Sequence, residues 1–410
     1  MDILRFITAG NVDDGKSTLI GRLLYDTDNI KTDELYSITT DTGKASDINL
    51  AFITDGLRAE RQQGITIDVA YKYFTTRHRK YIITDAPGHF QYTRNLVAGA
   101  SGVDAMIILI DAENGITDQT KRHSLVASFL SISQVAVIIN KMDLVGYDEA
   151  VFISIKNEFL AIAAELNLDN VTFIPVSALH GDNVSFPSQK MEWYKGKTFM
   201  QYLENCTPAS FDNDAMRLSI QYVIDTGGGE SEKGYAGKLL SGTLKTGNEI
   251  SIYPKGHRSI IRKIIHNYNE VKEAHAQQNI CVYLEDDASA HRGDIIAFTQ
   301  NAPLCSNKFE ASICWLNMEK QLQTGKEYFL RINSEETTCK IMEVVHKIDV
   351  STLKNYNDDK MVEVNQFAKV RIETKDMIVY DPYSVLRENG RGIIIDPQTN
   401  YTSGAFVILF

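Results

Sequence analysis

The chain has 410 residues, 43% apolar and 23% charged, enough material for two or three domains with cores of their own and a composition unlike that of disordered chains. Its 42 basic and 53 acidic residues leave a formal net charge of −11, which argues against a surface built mainly for nonspecific contact with phosphate backbones. Five cysteines, odd in number and without a C-x-x-C pair, signal neither a disulfide framework nor a zinc site. The apolar runs, such as 105–110, are too short to span a bilayer, and Met1-Asp2 leads straight into a strand pattern, so a cytoplasmic protein with no membrane contact is expected.

From residue 3 to about 206, β-branched runs at 3–9, 67–75, 80–84, 104–110, 135–139 and 172–175 alternate with helical patterns at 16–24, 91–99, 118–131, 148–166 and 197–203. That alternation predicts an α/β domain over 1–208, a mostly parallel six-stranded sheet with helices on both faces. The polar stretch from Tyr25 to Thr66 is long for a compact domain and reads as a switching or binding loop, or a helical insertion. After Pro208 the pattern changes to short alternating strands. Turn signals at 245–248, 254–256, 292–294, 389–390 and 396–397 predict two antiparallel β-barrel domains, 212–302 and 304–410. The glycine-rich tract 225–234 reads as a surface loop, with a partner-binding loop as the alternative.

The chemistry starts at Gly10-Asn11-Val12-Asp13-Asp14-Gly15-Lys16-Ser17-Thr18, which fits G-x-x-x-x-G-K-[ST] between a strand and a helix. The glycines let successive N–H groups face a polyphosphate, Lys16 neutralises the β and γ phosphates, and Ser17 ligates Mg²⁺. Asp85-Ala86-Pro87-Gly88-His89 follows the third strand run. There Asp85 holds Mg²⁺ through water, Gly88 senses the γ phosphate and His89 holds the attacking water in line. Thr66, just before the second strand run, is placed to close on Mg²⁺ and the γ phosphate. Asn140-Lys141-Met142-Asp143 selects the base: the Asp143 carboxylate accepts N1–H and the 2-amino group of guanine, which adenine cannot match. Lys141 lies along the base, Asn140 braces the loops, and Ser177-Ala178-Leu179 supplies an N–H for guanine O6. Four motifs in this order, each at the carboxyl end of a predicted strand, point to a GTP- and GDP-binding domain.

The motif order, with His89 after the glycine, resembles the translation-factor class of GTPases and, with two β units behind, elongation factor Tu. The segments 12–24, 63–71, 91–95, 118–124 and 235–237 resemble more closely the large GTP-binding subunit of bacterial sulfate adenylyltransferase, the CysN type. The resemblance covers essentially the whole chain. It implies a GTPase that pairs with a smaller catalytic subunit of the CysD type, as a heterodimer or an assembly of heterodimers. It further implies coupling of GTP hydrolysis to formation of adenosine phosphosulfate and pyrophosphate from ATP and sulfate. It also implies an apolar gate of Val12 and Ile65 beside His89 and a monovalent cation near Asp13. Ala86 and Phe90 depart from the family pattern, which usually has a threonine and an acidic residue there. A second phosphate loop is missing, which places the adenylyl chemistry in the partner and argues against a fused kinase. Two other readings compete: a translational GTPase delivering RNA, disfavoured by the charge, and a nucleotide-gated binding protein with little turnover.

Overall fold

The computed structural model describes residues 2–30, 50, 69–208, 215–225, 233–286, 288–357 and 360–410. Two compact units divide the chain: Met1–Ala209 with Asp349–Lys354, and Ser210–Ile348 with Asn355–Phe410.

In the first unit, strands β1 (Ile3–Ala9), β2 (Ala70–Thr75), β3 (Lys80–Asp85), β4 (Ala105–Asp111), β5 (Val135–Asn140) and β6 (Thr172–Pro175) form one sheet in the order β2-β3-β1-β4-β5-β6. All neighbours are parallel except β2, which runs antiparallel to β3 at the edge. β4 and β5 are buried along their whole length, the pattern of strands covered on both faces. Helices α1 (Lys16–Asp26), α2 (Thr93–Ala100), α3 (Asp118–Phe129), α4 (Glu149–Glu165) and α5 (Phe199–Asn205) lie between and after the strands. Leu19 and Leu23 of α1 join Phe6, Ile83, Ile107, Ile138 and Phe199 in one core. Parallel register aligns Thr8 with Asp85, Ala9 with Ile108 and Asp111 with Asn140, so the carboxyl ends of β1, β3, β4 and β5 meet at one edge of the sheet.

The helical pattern predicted to begin at Gln91 starts later: a 3₁₀ turn over Phe90–Tyr92, closed by Tyr92 N–H donating to the His89 carbonyl at 2.9 Å, precedes α2. Of the predicted loop from Tyr25 to Thr66, residues 31–49 and 51–66 lie outside the described residues, which removes Ile65 and Thr66 from view, as do 226–232 of the glycine-rich tract.

The second unit holds two closed barrels. The first comprises β7 (Arg217–Asp225), β8 (Lys233–Ser241), β9 (Thr243–Lys245), β10 (Glu249–Tyr253), β11 (His257–His266), β12 (Asn269–Val271), β13 (Glu273–His275), β14 (Asn279–Leu284) and β15 (Ile295–Phe298). Six of these close as β10-β15-β7-β8-β14-β11 through the β10–β11 pairing; β12 hangs on β11, and β9 and β13 form a separate ribbon. The second comprises β16 (Leu304–Trp315), β17 (Glu327–Ile332), β18 (Glu335–Ile348), β19 (Asn355–Tyr356), β20 (Phe367–Tyr380), β21 (Arg391–Ile395) and β22 (Thr402–Ile408). It closes through β17–β18, with β19 outside on β18. The turn signals hold: Gly247, Gly256 and Gly293 have φ of 86°, 71° and 101°, where a side chain would be strained. The barrels share a buried ion pair. Arg217, 1% exposed, donates from Nε and Nη2 to both oxygens of Asp381 at 2.9 and 2.8 Å, and from Nη1 to the Asn301 carbonyl at 2.9 Å. Among the described residues no helix is long and apolar enough to cross a membrane.

Candidate nucleotide site

β1 delivers the chain to Gly10, and the loop that follows turns into α1 through Gly15, whose φ of 89° is left-handed; a Cβ there would sit 2.4 Å from the Asn140 amide nitrogen. α1 has no side-chain cap and no acidic residue in its first turn, leaving its positive end suited to an anion. Lys16 is 7% exposed and its Nζ donates to the carbonyls of Gly10 and Asn11 at 2.9 and 2.8 Å. Burial lowers the Lys16 pKa, opposed by the charges of Asp85, Asp14 and Asp13. The Asp14 carboxylate accepts the Asn11 N–H at 2.5 Å, and burial pushes its pKa up to about 6 against that hydrogen bond and the Lys16 charge.

β3 ends on Asp85, 2% exposed, whose Oδ1 accepts the Thr8 hydroxyl at 3.0 Å. Ala86 and Pro87 are buried, and Gly88 lies against the phosphate loop: a Cβ on it would stand 2.5 Å from the Gly10 oxygen and 2.6 Å from Lys16 Nζ. The His89 side chain is exposed; its Nδ1 accepts the Gln91 N–H at 3.3 Å, and its ring lies 6.1 Å from that of Tyr92. Val12 is half-buried, and Asp13 adopts a left-handed φ of 73°.

The base-selecting loops converge on the same edge. Asn140 donates from Nδ2 to the Asp14 carbonyl at 2.8 Å, and its Oδ1 accepts the Ala178 N–H at 3.0 Å, tying the phosphate loop to the turn after β6. Met142, fully buried, donates its N–H to the Val176 carbonyl at 3.1 Å. The Asp143 Oδ1 accepts the Ser177 hydroxyl at 2.6 Å. Leu179 is exposed beside them.

Several supporting residues escape a motif reading. Asp111, 2% exposed at the end of β4, binds Lys141 Nζ at 2.8 Å and so fixes the lysine that follows Asn140. A carboxylate closing a buried parallel strand was the available signal, as it was for Asp85. Arg22 of α1 pairs with Asp26 at 2.9 Å and packs its guanidinium under Gly181, where a Cβ would lie 2.5 Å from Nη2. Asp182 receives the Tyr147 hydroxyl at 3.0 Å and the Ser188 hydroxyl at 2.7 Å, joining the turn after β6 to the loop after β5. The His180 Nε2 stands 3.9 Å from Asp143 Oδ2.

Residues 1–209 match the family model described as the elongation factor Tu GTP binding domain, and 308–409 match the GTP-eEF1A C-terminal domain-like model. With the geometry above, this sets the class: a GTP-binding protein of the elongation-factor type with two β-barrels behind its nucleotide domain. Within that class the chain is 41% identical over 413 residues to sulfate adenylyltransferase subunit 1 of Pseudoalteromonas atlantica, covering 100% of this chain and 87% of that protein. It is 41% identical to the protein of the same name from Teredinibacter turnerae, covering 98% and 86%. It is also 41% identical to the bifunctional enzyme CysN/CysC of Mycobacterium tuberculosis, covering 99% of this chain and 67% of that enzyme. The chain belongs to the sulfate adenylyltransferase subunit 1 family.

Proposed function

We propose that this chain is the GTP-hydrolysing regulatory subunit of a sulfate adenylyltransferase, working in the cytoplasm with a smaller catalytic subunit of the CysD type. GTP hydrolysis here is coupled to formation of adenosine phosphosulfate and pyrophosphate from ATP and sulfate in that partner. The observation that carries the reading is 41% identity over the full chain to relatives named subunit 1, together with an intact set of phosphate and base loops. The proposed organisation is a GTPase domain over 1–208 and barrels over 212–302 and 304–410.

Each residue's role follows from its chemistry. Asp143 accepts two hydrogen bonds from guanine, the Ser177-Ala178-Leu179 turn supplies a backbone N–H to O6, and Asn140 keeps the two turns in register. Lys16, desolvated and already oriented by two carbonyls, stabilises charge that builds on the phosphates. Oxygen donors suit a hard cation, so Ser17, Thr66 and Asp85 would hold Mg²⁺, which when bound neutralises the β and γ phosphates. Tethering of Asp85 by Thr8 supports that fit. Gly88 presents its N–H to the γ phosphate, at a position so close to the phosphate loop that a Cβ would meet the Gly10 oxygen and Lys16 Nζ. His89 swings toward the phosphates to hold water in line, behind a gate of Val12 and Ile65, and Asp13 takes a monovalent cation.

The test mixes the full chain with a CysD-type subunit, ATP and sulfate, with and without GTP, and measures adenosine phosphosulfate. A GTP-dependent increase is expected. No association and no GTP effect would sink the proposal.

A further inference from the structure

The loop that carries Asp143 and the turn after β6 are joined by a ring of contacts that runs through two residues outside the four motifs. Tyr147 closes the loop after β5: its N–H donates to the Met142 carbonyl at 2.7 Å, and its carbonyl accepts Trp193 Nε1 at 3.0 Å. Its φ of 60° is left-handed, a conformation that an aromatic residue keeps only where its surroundings hold it. The Tyr147 hydroxyl then crosses to the turn after β6 and donates to Asp182 Oδ2 at 3.0 Å. Asp182 exchanges two backbone hydrogen bonds with Ser177, both at 3.1 Å, and the Ser177 hydroxyl donates to Asp143 Oδ1 at 2.6 Å. The ring so closes on Asp143.

We infer that Tyr147 and Asp182 are a positioning pair for guanine, whose hydrogen bond sets selectivity for the 2-amino group. With Asp143 reading the base as proposed above, that bond fixes its carboxylate relative to the turn that meets O6. Guanine presents three polar groups in one plane, O6 to the turn and N1–H and the 2-amino group to the two Asp143 oxygens. A rigid base meets all three at once only if carboxylate and turn are held at one spacing. Hypoxanthine lacks the 2-amino group and needs a single Asp143 oxygen, so it tolerates slip between the two. Ser177 alone leaves a pivot, because one hydrogen bond to Oδ1 lets the carboxylate turn about it. Asn140 and Met142 tie the two segments on the N-terminal side of Asp143, to Ala178 and Val176. The bond from Tyr147 to Asp182 is the tie on its C-terminal side.

Asp182 is itself held in place. Its Oδ1 accepts the Ser188 hydroxyl at 2.7 Å, and Lys190 Nζ stands 3.3 Å from Oδ2. Burial would raise its pKa, yet the donors Ser188, Tyr147 and Lys190 together hold it below the ordinary carboxylate value, which keeps it an acceptor at neutral pH. Lys190 also donates to the Tyr147 hydroxyl at 2.9 Å, which leaves the hydroxyl proton for Asp182.

The measurement is competition of guanosine and inosine diphosphates against a fluorescent GDP analogue on the full chain, for the parent, Tyr147→Phe and Asp182→Ala. Tyr147→Phe removes one oxygen and leaves Asp182 paired with Ser188 and Lys190, so no carboxylate is orphaned. It is expected to lower the preference for the guanosine over the inosine nucleotide by about fivefold, the scale of one net hydrogen bond. A tie that merely holds the fold together would weaken both nucleotides equally, so an unchanged or larger preference overturns the inference. Asp182→Ala is expected to give the same fall and the double variant no more than either alone, since each removes the same bond; falls that multiply overturn the pairing. If Asp182→Ala does not fold, Tyr147→Phe decides. Asp143→Asn separates the two readings. Retained preference for GDP over xanthosine diphosphate overturns base reading and the role of the pair with it. A switch to the xanthosine nucleotide alongside a parent-like preference in Tyr147→Phe overturns the role of the pair alone.

Discussion

At Gly88 the phosphate loop and the turn after β3 touch so closely that one added methyl decides the outcome. Gly88→Ala puts a Cβ 2.5 Å from the backbone oxygen of Gly10, which cannot swing away as a side-chain tip can. The variant is expected to bind GDP and GTP about tenfold or more weakly by calorimetry, since the loop itself must shift to make room. His89 is the opposite case, exposed and free of crowding, so His89→Ala is expected to keep nucleotide affinity and lose about 10²-fold in single-turnover hydrolysis. Unchanged turnover would remove it from the mechanism. Asp14 gives a pH signature. Its folded pKa of about 6 lies above the carboxylate's ordinary 3.8, so the folded state holds its proton more tightly and gains stability as the pH falls through 6 toward 3.8. Asp14→Asn, which keeps an acceptor for the Asn11 N–H, is expected to melt higher than the parent at pH 8 in the nucleotide-free state, with the difference shrinking by pH 5. The proximity of Asp143, Asn140 and the phosphate loop was legible because each motif sits at a strand end that a parallel sheet brings to one edge. His180 and Arg22 were not, because their partners are chosen by the path of a turn, and no spacing in the chain encodes that path.

Elements were read more securely than their ends. β1 and β6 match their predicted runs, whereas β3, β4 and β5 extend one residue further, to Asp85, Asp111 and Asn140. In each case a polar residue that looks like a loop completes a ladder before turning its side chain to the site. α3 shows a capping signal that the pattern had not used: Thr117 and Thr120 exchange hydrogen bonds at 3.2 Å in a capping box. The same helix carries His123, fully buried, with Nε2 3.1 Å from the Gln119 amide and, among the described residues, no partner on Nδ1. Burial, aided by the charges of Lys16 and Arg122, drives its pKa down to about 3. The folded state thus refuses a proton that the unfolded chain accepts, and stability is lost as the pH falls from about 6.5 toward 3. His123→Leu is expected to flatten that acid loss; melting temperatures of parent and variant falling in parallel between pH 6.5 and 4.5 would refute it.

For the molecule as a whole, turn density foretold two antiparallel β-barrels, and each closes through a local hairpin, β10–β11 in the first and β17–β18 in the second. Hidden was the clamp between the barrels: Arg217 and Asp381 lie 164 residues apart, and nothing local marks either. Asp381→Ala leaves a guanidinium 1% exposed without its carboxylate and is expected to cost about 3 kcal/mol in urea unfolding followed by a barrel-specific probe such as Trp315. Asp381 also accepts the Asn389 amide at 2.8 Å, so Asn389→Ala is a milder companion. Closure has one more result, bearing on how the protein behaves in a crowded solution. A closed barrel has no unpaired rim of N–H and C=O groups, so the ladders left open among the described residues are β2 and the four-residue β6, which ends on Pro175, together with the short β12 and β19 and the β9–β13 ribbon. Most of the described strand content is thereby withheld from edge-to-edge joining with other chains.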